Sequence, residues 1–116
     1  MLKDKEKWGI RNLCNAYKEN RTLLQTLNII QTNTYKYTIF VETVPNAELV
    51  YTVEKRSKVT GEEIYTTKGF VKHNMPSTKI QYNIDKLPSS VKEYIAMHYR
   101  IFERVLLEGE NVLNML

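Results

Sequence analysis

Apolar and polar residues change their spacing repeatedly along this chain, and each change marks an element. Between residues 4 and 31, Leu13, Ala16, Tyr17, Leu23, Leu24, Leu27 and Ile30 recur mostly at intervals of three and four. Trp8 and Ile10 extend the pattern toward the start, and no proline interrupts it. That spacing predicts one long N-terminal helix over 4–31. From Thr34 the period becomes two, with Tyr35, Tyr37, Ile39 and Val41 alternating with Lys36, Thr38, Phe40 and Glu42. Leu49, Tyr51 and Val53 repeat the alternation after the turn residues Pro45 and Asn46. A hairpin of strands 34–44 and 48–56 follows from this. A polar, glycine-bearing loop leads to a third strand at 63–71, and Asn74 to Ser77 separate it from a fourth at 78–84. Short connections between consecutive strands require antiparallel neighbours.

The last element is a helix over 90–115, with Val91, Tyr94, Ile95, His98, Ile101, Phe102, Val105, Val112 and Leu113 on one broad stripe. Ser90 followed by Glu93 predicts a capping box at its start. The expected fold class is therefore α+β: a four-stranded antiparallel sheet flanked by a long N-terminal helix and a long C-terminal helix. At 116 residues the chain is one domain, 1–116, large enough for a core of its own.

Composition narrows the chemistry. One cysteine, Cys14, permits neither an internal disulfide nor a thiolate zinc cluster. No apolar segment follows the charged first residues, and no run reaches the ~20 apolar residues of a membrane span, so a cytoplasmic location is expected by elimination. The net charge is +4, and residues 1–60 carry the excess, with ten Lys/Arg against six Asp/Glu. That balance permits an anionic partner without requiring one. Phosphate-cradle, dinucleotide, nucleophile-elbow and zinc-helix motifs are all missing from the sequence. No cofactor and no metal are expected, and nothing assembles an acid, a base and a nucleophile. His98, centred on an apolar stripe, reads first as a core histidine. Cys14 reads as a small buried apolar residue.

Arg100 and Arg104 are the most suggestive pair. Four residues apart, they share one helix face away from the apolar stripe, where two guanidiniums could grip phosphate oxygens in bidentate fashion. The competing reading is a solvated face with Glu103 and Glu108 as ion-pair partners. The basic run Lys55-Arg56-Ser57-Lys58 reads more simply as a solvated hairpin tip than as a nucleic-acid contact. Met97, Leu106, Leu107, Met115 and Leu116 leave apolar surface around the last helix, which points to an oligomer.

A sheet closed by a long helix, with Arg100 and Arg104 about a dozen residues from the end, resembles the phage anti-Thoeris sponge proteins of the first type. The resemblance implies a non-catalytic cytoplasmic protein that sequesters a cyclic ADP-ribose-type signal of bacterial immunity, uncleaved, at a dimer interface. It also implies further assembly toward hexamers and, in some members, a second pocket for cyclic di- or trinucleotides. Carried over to this sequence, the phosphate clamp is Arg100 and Arg104, and the asparagine before the helix is Asn83. Phe70 or His73 takes the stacking role, and Arg56 is a basic residue for the second pocket. Two other readings stay open: an inhibitor or adaptor acting on a protein through the tyrosine-rich sheet, and a small basic RNA-cleaving toxin.

Overall fold

A computed structural model describes residues 2–44, 48–61, 63–72 and 87–115. Helix α1 covers Asp4–Lys18. Asp4 and Glu6 lie in its first turn, where carboxylates complement the exposed amides, and Glu6 accepts the Lys3 N–H at 3.3 Å. Its other end is set by Asn20, which takes a positive φ of 57°. Asn20 N–H donates to Tyr17 O at 3.2 Å and Arg21 N–H to Ala16 O at 2.8 Å, the paired bonds of a Schellman stop.

The expected helix over 4–31 is therefore corrected. It ends at Lys18, and Leu24–Gln31 is a strand, β1. The reason lies in one irregularity. The pairing of β1 with its neighbour shifts register between Thr26 and Asn28, so Leu27 is an extra residue in a bulge. With that insertion Leu27 and Ile30, three apart, both pack toward the core and imitate a helical repeat, whereas Leu24, opposite Glu42, is 62% exposed. The β-branched Thr22, Thr26, Ile29 and Ile30 favour the extended chain.

Strands β2 (Tyr35–Val44), β3 (Glu48–Ser57) and β4 (Glu63–Lys72) complete the sheet, in order β1-β2-β3-β4 with every pair antiparallel. Three of the expected strands are thus present, at 35–44, 48–57 and 63–72. The expected strand over 78–84 lies outside the described residues, and the sheet's first strand comes from sequence expected to be helical. The architecture first inferred, four strands all following a long helix, does not hold.

Helix α2 covers Ser89–Glu108 and is capped by Pro88 rather than by a Ser90–Glu93 box. Pro88 O accepts from both Val91 and Lys92 N–H at 3.1 Å, so the fixed φ of proline starts the helix. Gly109, at φ 96°, ends it seven residues before the expected boundary of 115. A short 3-10 segment, Glu110–Met115, then turns Val112 and Leu113 into the core.

Both helices lie on one face of the sheet. Tyr37, Ile39 and Val41 from β2 and Leu49, Tyr51 and Val53 from β3 pack against Ile10, Leu13 and Cys14 of α1 and Val91, Ile95, Tyr99, Phe102 and Val105 of α2. Thr43 is the buried hinge of the α1–β1 connection. Its hydroxyl donates to Arg21 O at 2.6 Å and accepts the Leu23 N–H at 2.8 Å.

Candidate functional site: a groove between two helices and an edge strand

Helix α1, edge strand β1 and the middle of α2 do not close completely. Between them runs a groove of about 820 Å³, walled by Trp8, Leu27, Ile29, Met97 and Ile101 among others. Trp8 is 62% exposed, and the Arg11 guanidinium lies 5.8 Å from its ring centroid, holding one side of the indole by a cation–π contact. Lys3 and Lys5 stand along the α1 side.

Three polar side chains of the sheet and α2 line this groove, beside Glu6, Asn12 and Thr26. Gln25 and Asn28 pair across the sheet with Val41 and Ile39, on the side the helices cover. Gln25 Nε2 donates to Gly9 O at 2.9 Å, which leaves its Oε1 over. Asn28 Oδ1 accepts the Ile29 N–H at 2.8 Å, which leaves its amide NH2 over. The third is His98, only 5% exposed yet lining the groove. Its Nδ1 is hydrogen-bonded to the Tyr51 hydroxyl at 2.8 Å, with the rings edge-on at 85°. Nε2 has no hydrogen-bond partner among the described residues. Burial lowers the His98 pKa to about 4, so the ring is neutral at pH 7.

Cys14 offers no chemistry to match. Its thiol donates weakly to Phe102 O at 3.9 Å, and burial pushes its pKa up to about 12. No group of three or more His, Cys, Asp or Glu is placed to hold a metal ion among the described residues. No described helix is long and apolar enough to cross a membrane.

The residues singled out in the sequence are distributed differently. Arg100 and Arg104 do share the solvent face of α2, but Arg104 donates to Glu108 at 3.1 Å. Glu103 accepts from Tyr99 at 3.4 Å, and Arg100 has no ion-pair partner among the described residues. Arg100 lies three residues beyond Met97 on α2 and is not part of the groove lining. Arg56 lies on β3, where Nε pairs with Glu54 at 2.5 Å and Nη1 donates to Gly61 O at 3.2 Å. Its neighbours in the basic run are also engaged: Lys55 Nζ lies 4.0 Å from the Tyr35 ring centroid, and Lys58 Nζ donates to Thr32 O at 3.0 Å. Phe70 is placed by its backbone alone, opposite Val50 in β4. Asn83 and His73 lie outside the described residues. Of the tyrosines expected on a sheet surface, Tyr37 and Tyr51 are buried under the helices.

Trp8, Gln25 and Asn28 had no signal as site residues while β1 was read as helix. His98 has one, a polar group inside an apolar stripe, a pattern that by itself reads as a core histidine. Family models, curated proteins and solved structures yield no match to this chain.

Proposed function

We propose that this chain is a non-catalytic binding protein whose ligand is a small nucleotide-class molecule held in the groove between α1, β1 and α2. The observation that carries the reading is His98. His98 lines the groove with its Nδ1 already bonded to Tyr51, so Nε2 is the ring nitrogen left for a ligand, which would displace water from it. The groove volume lies within the ~300–1,000 Å³ usual for small-molecule sites, and its mix of flat apolar walls with a few polar groups fits such a ligand. Trp8 offers a stacking surface, and Lys3 and Lys5 offer positive charge for a phosphate. A neutral, hydrogen-bonded His98 and a thiol near pKa 12 supply neither a strong base nor a nucleophile, which supports capture without turnover.

Sequestration of a cyclic ADP-ribose-type immune signal, as in the anti-Thoeris sponges, is the finer form of this proposal. It would recruit Arg100 to phosphates leaving the groove over Met97. In this form a second copy of the chain would pack on the exposed Met97 and Leu107 side of α2 and complete the pocket, making the protein a dimer or higher oligomer. A thermal-shift screen tests the proposal, using cyclic ADP-ribose isomers, cyclic di- and trinucleotides and simple nucleoside monophosphates. A ligand that binds only the native state raises its melting temperature, and it should be recovered intact after release. No stabilisation by any of them, or recovery of a cleaved product, would overturn it.

A further inference from the structure

We propose that His98 presents a fixed Nε2–H donor to the acceptor edge of a flat heterocycle that enters the groove beside Trp8. The inference deepens the ligand-binding reading above, and it begins with Tyr51. That side chain is 1% exposed, and its hydroxyl meets His98 Nδ1 at 2.8 Å. A buried phenol keeps its proton and must donate it, and Nδ1 is the acceptor it has among the described residues. Nδ1 must then be the unprotonated nitrogen, and the proton of the neutral imidazole sits on Nε2. The other tautomer would set Nδ1–H against the phenol oxygen and strand the Tyr51 O–H inside the core. Leaving a buried donor unmade disfavours that form by roughly tenfold or more. The Tyr51–His98 pair therefore does more than fill space: it fixes a donor aimed outward from the core.

The remaining groups say what that donor meets. Asn28 contributes its amide NH2 to the groove and Gln25 its Oε1, because the opposite end of each amide is already bonded. Two donors and an acceptor between flat apolar walls match a heterocycle that carries ring nitrogens or carbonyls beside an N–H. An acyl chain would use the walls and leave the Gln25 acceptor idle. Trp8, held by Arg11 and otherwise exposed, supplies the face for stacking.

Two NMR experiments on the full chain test this. In the free protein, 15N shifts of His98 should show a protonated Nε2 and an unprotonated Nδ1; the reverse assignment overturns the proposal. Titrating free adenine, a flat probe without phosphate, should then shift the His98 Nε2–H and Trp8 indole N–H signals. His98→Gln keeps an N–H near the Nε2 position and should retain most of the binding, whereas His98→Leu should lose tenfold or more. Trp8→Ala, at an exposed position that folding does not need, should weaken adenine comparably and stands in if His98→Leu fails to fold. Unchanged binding in Trp8→Ala, no shift at His98, or preferential uptake of decanoate would each overturn the heterocycle assignment. Adenine bound as described while every nucleotide fails would sink the nucleotide proposal and leave this one standing.

Discussion

Helix α2 carries polar groups on two faces and treats them in opposite ways. On its inner face His98 is enclosed, lines the groove, and is bonded through one nitrogen to a buried phenol. On its outer face Arg104 and Glu108 are each about half exposed and pair along the helix surface. An exposed pair of this kind contributes little, because water screens both charges and either side chain is solvated when alone. A buried imidazole has no such alternative, and what it bonds to is decided by the fold. The difference teaches where to look for function. A polar group that is costly to bury points to a use more strongly than two cations that any solvated helix could carry.

If the inner face is a packed core around one polar device, removing its largest apolar member should be severe. Phe102 is fully buried and meets Tyr17 edge-on at 5.5 Å. Phe102→Ala should cost about 3–5 kcal/mol of stability in urea unfolding, since the vacated volume can collapse only in part. A loss below 1 kcal/mol would mean that α2 is not seated as described.

His98 itself gives the next largest effect, through pH. Burial takes its pKa from 6.5 in the unfolded chain to about 4 in the folded one. Between those values the unfolded chain binds a proton that the folded chain does not, so stability falls as pH falls. The contribution is complete above pH 6.5 and is lost progressively toward pH 4, roughly 3 kcal/mol in all. Unfolding of the wild type and His98→Gln from pH 7 to pH 4 checks this. The wild type should lose more, and parallel curves would show that His98 is not shielded from protons.

These two expectations rest on parts of the fold that were legible in the sequence. The alternation in β2 and the stripe on α2 keep their periods, so Ile39, Phe102 and Val105 fall on the buried faces that the sequence indicates. The N-terminal third was not legible, for a local reason. The Leu27 bulge turned a strand's period into a helix's, and Asn20, which reverses the backbone after Lys18, carries no apolar signal. The start of α2 misled in a similar way, because Ser90 and Glu93 suit a cap that Pro88 had already made. The outer face of α2 with its arginines followed from helical geometry alone. The groove did not, because it is assembled from residues 2–12, 25–29 and 94–101, and one of its walls was assigned to the wrong element.

The outer face should give the smallest effect. Arg104→Ala should cost only about 0.2–0.5 kcal/mol, and less at high salt, as expected for a solvated pair one turn apart. Thermal unfolding at low and high ionic strength measures it. A loss above 1 kcal/mol would show that the arginine face is structural and would erase the contrast between the two faces.

Calorimetric titration of the best-stabilising nucleotide into wild type, Trp8→Ala and the double variant Arg100→Ala/Arg104→Ala tests the groove assignment most directly. A ligand seated in the groove predicts that Trp8→Ala weakens binding about tenfold or more, in line with the ~1–3 kcal/mol of a lost stacking contact. The arginine variant should lose less, and Arg100 alone should account for what it loses. Unchanged affinity in Trp8→Ala together with a hundred-fold loss in the arginine variant would contradict the account and move the site to the outer face of α2.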